Sequence, residues 1–194
     1  MSAEYFLRVE NFKPELVLEN RMADALMSRK GLTEFLDALA APSATPGGGS
    51  ASAAAAAMGA ALGAMVTKLA KQDSSAFEDD RRFFTEAVDR DSDAFEQVMA
   101  AYKRPKTERA PFVEQALHGA TEVPLETLER ASAMLVRMEG LQIPARYSSD
   151  LMVAKALAVA AKAGAFENVR INLESIQDGK FRASVQSRLN ALNR

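Results

Sequence analysis

The sequence has no cysteine and a single histidine, His118. Without cysteine there are no disulfides, thiolate zinc sites, cysteine nucleophiles or cysteine-held clusters. One histidine argues against a metal site built on several imidazoles and against a Ser-His-Asp enzyme, so no metal is expected. Excess charge is also lacking: the net charge is −2 and the pI about 5.6. A generic nucleic-acid binder is normally basic, so no nucleic-acid partner is expected. The longest near-apolar run, Ala51 to Val66, is mostly alanine with glycines and is followed by Lys68 and Lys71. It reads as too short and too weakly hydrophobic to span a bilayer. The N-terminus lacks the charged-then-apolar pattern of a secretory signal, which points to a cytoplasmic protein with no membrane partner.

The composition is that of one globular domain. The chain has 194 residues, 48% of them apolar and 26% charged. That is long enough for one sizeable core and too apolar for disorder throughout. No segment alternates over strand length, whereas apolar residues recur at helical spacing almost everywhere. The expected fold class is therefore all-α, a bundle of about seven or eight helices around a central Ala/Gly-rich helix. Residues 1–30 read as a separate N-terminal arm, with a helix from about Glu15 to Ser28, and residues 31–194 as the main domain.

Within that domain Leu32, Phe35, Leu36 and Leu39 form one stripe, followed by a loop from Ala41 to Ser50. Ser50 is the expected N-cap of the next helix. Between Ala51 and Ala64 nearly every residue is Ala, Gly, Ser or Met. Such a helix needs close neighbours, and Gly59 and Gly63, four apart, imply a backbone approaching them. The following helix carries nine acidic and three basic residues between Asp73 and Glu96, an acidic outer face. Shorter helices are expected after Pro111 and after Pro124. A long alanine-rich helix follows from Leu151 to about Ile176, and a last one runs from Asp178 to Leu192.

Four features carry possible chemistry. Gly47, Gly48, Gly49 and Ser50 precede a helix, where bare backbone N–H groups and the helix terminus suit a carboxylate, a phosphate or a polar ring edge. A flexible turn with a serine cap is the plainer alternative. Ser149-Asp150 stands at another helix start, as an acid or base or as a simple cap. Asn168 and Asn172 are four apart and share a face, either directed at a polar partner or merely solvated. From Arg137 to Arg194 there are nine basic and five acidic residues, a surface able to draw a polyanionic tail. His118 reads as a helix-terminus partner rather than a catalyst.

The order of these pieces resembles a known family. Phe35-Leu36-Asp37, Thr45 to Ser50, Met65-Val66, Asp93-Ala94-Phe95, Ala101 to Lys106, Glu122 to Leu125, Ser149-Asp150 and Asn168 to Asn172 occur as in the cyclodeaminase/cyclohydrolase family. That family comprises the C-terminal domain of formiminotransferase-cyclodeaminase and the stand-alone methenyltetrahydrofolate cyclohydrolases. The resemblance covers about residues 32–178. It implies a homodimer with a folate site near the subunit interface, and no cofactor beyond the tetrahydrofolate substrate. It also implies hydrolysis of methenyltetrahydrofolate or cyclodeamination of formiminotetrahydrofolate. With no formiminotransferase domain in this sequence, cyclohydrolase is slightly favoured. By the same resemblance Asp150 is the acid/base, Gly47, Gly48, Gly49 and Ser50 line the substrate, Asn168 and Asn172 bind pterin or hold the site together, and Lys106 meets glutamyl carboxylates. The stretch from Lys68 to Asp73 and the loop at Gly140-Leu141-Gln142 depart from the family pattern. A non-catalytic helical dimer binding folate or a protein, and an enzyme on another small substrate, remain alternatives.

Overall fold

The computed structural model describes residues 31–192. The chain divides into two compact units, Met1–Ser43 and Ala44–Arg194. The expected helix at 15–28 lies outside the described residues. In the first unit a helix, α1, covers residues 31–40, with Leu32 and Leu36 exposed.

The second unit is built from five helices: α2 (Gly48–Leu69), α3 (Ser75–Tyr102), α4 (Arg109–Glu139), α5 (Ser148–Ser175) and α6 (Gly179–Leu192). A 3-10 turn, Ala145–Tyr147, leads into α5. The first four form an up-down-up-down bundle in which α2 and α4 each pack against both α3 and α5. Helix α6 lays Val185 and Leu189 on Leu125 and Leu128 of α4 and Ala165 and Val169 of α5. Among the described residues there is no strand, as the 3.6-residue periodicity predicts.

Two sequence expectations need correction. The described residues hold six α-helices where seven were expected in addition to the one at 15–28, because α4 is one helix of 31 residues that runs through Pro124 instead of two that break there. Proline has no N–H for the carbonyl four residues earlier, which is why the sequence reads as a break there. The second concerns caps. Helix α2 starts at Gly48 with Gly47 as N-cap, and α5 starts at Ser148 with Tyr147 as N-cap. Neither has a side-chain cap, so Ser50 and Asp150 lie inside the first turns instead of capping them.

The small-residue helix meets its neighbours in two ways. A Cβ on Gly59 would lie 3.1 Å from the Ala154 carbonyl oxygen of α5, a true backbone approach. A Cβ on Gly63 would instead lie 2.7 Å from the Phe77 ring of α3 and 3.2 Å from the Met138 methyl of α4. Helix α2 is long and apolar enough to cross a membrane, but more than half of its most apolar stretch is buried inside the bundle. Met58, Met65 and Leu69 remain on its outer face.

Helices α3 and α4 are tied by charge. Asp80 is 2% exposed and accepts from Arg130 Nε at 2.6 Å and from the Arg137 guanidinium. Arg130 also lies over the Phe83 ring, 4.6 Å from its centroid. The acidic helix thus turns one of its carboxylates inward. Asp80→Ala is expected to destabilise the fold by about 2–4 kcal/mol, below the cost for a fully buried pair because both guanidiniums keep partial solvation. Urea unfolding of the variant at neutral pH measures it.

Candidate functional site

Antiparallel packing of α2 on α5 decides which predicted residues meet. Gly48 faces Asn168, Ser52 faces Gly164, and Gly59 faces Ala154 to Ala158. The tightest point is Gly164, where a Cβ would fall inside the Ser52 hydroxyl. That hydroxyl donates to the Gly48 carbonyl at 2.7 Å. Asn168 Nδ2 donates to the Gly164 carbonyl at 2.8 Å, and a Cβ on Gly48 would sit 3.5 Å from the same nitrogen. Gly48 is exposed, so its backbone and the Asn168 amide oxygen share an accessible edge. The triglycine turn and the first asparagine therefore form one place.

An acid joins them that the sequence did not single out. Ser50, fully buried, donates its hydroxyl to Asp91 Oδ2 at 2.9 Å, with the Val88 carbonyl at 3.2 Å and Ser92 Oγ at 3.4 Å. A Cβ on Gly49 would collide with the Asp91 carboxylate, so only glycine lets α3 come this close. Asp91 does from outside what no side chain does at Gly47: it presents a carboxylate to the first turn of α2. Burial nevertheless pushes the Asp91 carboxyl above its ordinary range, with hydrogen bonds from the Ser50 hydroxyl and backbone opposing the shift. A carboxyl raised by burial and set beside exposed backbone is suited to carrying a proton. Asp91 was hidden in a run of nine acids, where only its distance along α3 from the Phe77–Gly63 contact could have marked it.

Asn172 has a fold-level task. Its Nδ2 donates to the Ala120 carbonyl at 2.8 Å. Ala120 is four residues before Pro124, so this is the carbonyl that the proline leaves without its helical donor. The amide of α5 thus repairs the hydrogen-bond ladder of α4. Ser175 continues the same face of α5, at the spacing 168, 172, 175.

Lys106 lines a pocket of about 600 Å³ with Tyr102, Arg109, Glu114, Ser175 and Asp178. Ser175 is seven residues beyond Asn168, or about 10 Å along α5. Asp150 stands apart. It shares the Asn168 face of α5 but lies 18 residues earlier, about 27 Å along the axis, at the other end of the bundle. One chain therefore brings together Gly48, Gly49, Ser50, Asp91 and Asn168, with Asn172 and the Lys106 pocket beyond, and leaves Asp150 out.

Comparison with known proteins agrees with this layout of elements. The family described as formiminotransferase-cyclodeaminase matches residues 31–191. The chain is 32% identical to the formimidoyltransferase-cyclodeaminase of Sus scrofa, over 93% of this chain and 38% of that protein. It is 35% identical to the methenyltetrahydrofolate cyclohydrolase of Methylorubrum extorquens, over 76% of this chain and 81% of that one. It thus spans about two fifths of the first relative and about four fifths of the second. The crystal structure of formiminotetrahydrofolate cyclodeaminase from Thermotoga maritima superimposes with a TM-score of 0.77 at 28% identity, covering 84% of this chain and 87% of that one.

Two measurements test the local assignments. Asn172→Ala should cost about 1–3 kcal/mol by leaving the Ala120 carbonyl unpaired. In a Pro124→Ala background, where the backbone N–H returns, the same change should cost clearly less. Equal costs in both backgrounds, from denaturant melts, would refute the pairing. For Asp91, a raised folded-state value means that the folded chain holds its proton more tightly than the unfolded chain. Its contribution to stability is then largest at low pH and falls as pH rises from the ordinary carboxylate range through the raised value. Asp91→Asn should remove that decline from a plot of unfolding free energy against pH.

Proposed function

Because the chain belongs to the formiminotransferase-cyclodeaminase family, we propose that it is a folate one-carbon enzyme. On this reading it hydrolyses methenyltetrahydrofolate to formyltetrahydrofolate or cyclodeaminates formiminotetrahydrofolate. The single observation that carries the proposal is the Asp91 carboxyl, half-buried against Ser50 and Gly49 beside the exposed Gly48 backbone and Asn168. Both reactions pass through a tetrahedral carbon between two nitrogens. In the first, a water oxygen bonds to the bridging carbon and loses a proton, and one carbon–nitrogen bond then breaks as that nitrogen gains a proton. In the second, a ring-closing nitrogen attacks the formimino carbon and loses its proton, and the formimino nitrogen is protonated and leaves as ammonia. Each needs a group that can hold a proton next to a fixed pterin, and none of these steps calls for a metal or redox cofactor.

The layout also suits a long substrate. Backbone at Gly47 to Gly49 and the Asn168 amide oxygen supply polar contacts for a pterin edge, while Ser50 acts by holding Asp91. The Lys106 pocket lies about 10 Å further along α5, where Lys106 and Arg109 offer cations to glutamyl carboxylates. Both activities stay within this reading, since the relative covered to 81% is named a cyclohydrolase and the solved structure covered to 87% a cyclodeaminase. The working unit on this reading is a cytoplasmic homodimer, and Asp150 reaches this end of the bundle only from a second subunit.

The purified chain should accelerate the loss of methenyltetrahydrofolate's near-ultraviolet absorbance over the buffer rate. Asp91→Asn, checked for folding by circular dichroism, should lower kcat by about 100- to 10,000-fold. Lys106→Ala should raise KM more than it lowers kcat, most strongly with polyglutamylated substrate. Full activity in Asp91→Asn would remove the carrying observation.

A further inference from the structure

We propose that His118 takes up a proton when an anionic tail enters the Lys106 pocket, offsetting the Glu114 and Asp178 carboxylates in its wall. The inference rests on the reading of that pocket as a site for glutamyl carboxylates, and it adds what sets the pocket's affinity.

The charged side chains lining the pocket are two cations, Lys106 and Arg109, and two acids, Glu114 and Asp178. A glutamyl tail that reaches the cations therefore also meets like charge. Neither acid is free to turn away. Glu114 Oε1 accepts the backbone N–H groups of Gln177 and Asp178 at 2.8 and 2.7 Å. Asp178 Oδ1 accepts those of Lys180 and Phe181 at 2.8 and 3.2 Å, at the start of α6. The Phe181 N–H, and after it the Lys180 N–H, hold the Asp178 carboxyl below its ordinary range, so it stays ionised at neutral pH. Relief of the added negative charge must come from a new positive charge nearby.

His118 stands behind this wall. Its ring lies flat on Phe181, with centroids 3.9 Å apart and planes 8° from parallel. Its Nε2 is buried without a hydrogen-bond partner, 3.5 Å from Glu114 Oε1 and 3.9 Å from Asp178 Oδ2. A proton taken from solvent onto Nε2 sits between the two carboxylates that an incoming anion crowds. The other charged groups on the surrounding elements are already engaged or already charged. Glu122, one turn on along α4, accepts from Arg188 at 2.7 Å, and Glu174 of α5 accepts from Arg170 at 3.0 Å. On α6, Arg182 reaches the Ile176 carbonyl at 3.5 Å and Lys180 is exposed beside Asp178. From α3 the neighbour in this cluster is the apolar Val98. Of the side chains gathered here only an imidazole readily gains charge near neutral pH, and His118 is the chain's one histidine.

The coupling is reciprocal. A tail that draws a proton onto His118 is itself bound more tightly, by the same factor, once the proton is there. Affinity for the tail is then highest at low pH and falls as pH rises through the His118 midpoint. His118 acts through Glu114 and Asp178 and is a positioning residue for the pocket, in contact with neither the tail nor the reacting carbon.

The single histidine gives one imidazole Cε1–H resonance in an NMR spectrum, so its titration is read without assignment. Adding N-acetylated γ-linked triglutamate, a tail without a pterin, should move the midpoint of that titration up by about 0.5–1 in pH. By linkage the same probe should bind about three- to tenfold more tightly at about pH 5.5 than at about pH 8. His118→Phe, which keeps a ring to stack on Phe181, should bind it equally at both. Lys106→Ala should lose the movement of the midpoint together with the binding. A midpoint that stays in place with triglutamate bound, no binding at millimolar triglutamate, or a pH dependence that persists in His118→Phe would overturn the proposal. None of these readouts needs turnover. A wild-type chain inactive on methenyltetrahydrofolate counts against the folate reading, whereas an unmoved midpoint in an active enzyme counts against His118 alone.

Discussion

The close approach of α2 to α5 is the constraint on which the rest depends. The helices meet closely at Gly59, where the Ala154 carbonyl comes in, and at Gly164, which makes room for the Ser52 side chain. Helices in ordinary contact keep their axes 8–10 Å apart, and small residues at the contact set the lower end of that range. Close packing of this kind gains dispersion from many backbone and methyl contacts while ordering few rotatable bonds, since alanine and glycine have no side-chain rotamers to lose. It also fixes register. Once Ser52 is seated on Gly164, Gly48 must face Asn168, and the first turn of α2 must open at the end of the bundle where Asp91 arrives on α3.

Two aspartates on α3 show how environment divides residues of one kind. Asp80 goes inward between two guanidiniums and ties α3 to α4. Asp91 is half-buried and meets only a hydroxyl and backbone groups, so its partial desolvation is not offset by charge and its carboxyl holds its proton more tightly than usual. The first arrangement contributes to the fold. The second leaves a group whose protonation can change beside the exposed Gly48 backbone, at some cost to stability when it is ionised. The acidic stretch is therefore not one solvated face but a surface from which two members have been assigned separate tasks.

Much of the architecture was legible because helical periodicity and the small-residue run reflect burial directly. Ala56, Ala60 and Ala64 are buried and Met58 and Met65 exposed, as a one-sided helix requires. The errors lie where tertiary contacts replace local ones. Ser50 has the chemistry of a cap, but Asp91 supplies a carboxylate to that turn from another helix. Pro124 has the chemistry of a break, but Asn172 supplies the missing donor from another helix. Asp91 itself could not be chosen from its neighbours Asp89 and Asp93 by composition, since only three-dimensional packing distinguishes the residue that points at Gly49. The pairing of Asn168 with the triglycine turn was readable as a shared polar face, whereas the 27 Å between Asp150 and that turn follows from the length of α5 and needed only the helix to be continuous.

Pro124 and Asn172 connect the fold to the site more tightly than a contact inventory would suggest. A proline inside α4 leaves the Ala120 carbonyl exposed to whatever approaches from α5, and the Asn172 amide is that approach. Because a buried polar group is costly when unpaired, the bond resists any rotation or slide of α5 that would lengthen it. Asn168 lies one turn away on the same rigid helix and is itself anchored to Gly164. The amide at the accessible edge is thus held by two hydrogen bonds and a glycine contact, none of which involves a ligand. Sites that must hold a planar ring system within fractions of an ångström need such support from residues that do not touch the reacting atoms. Asn172 acts at the site through the backbone of α4, and its neighbour Asn168 is the one left with an oxygen to offer.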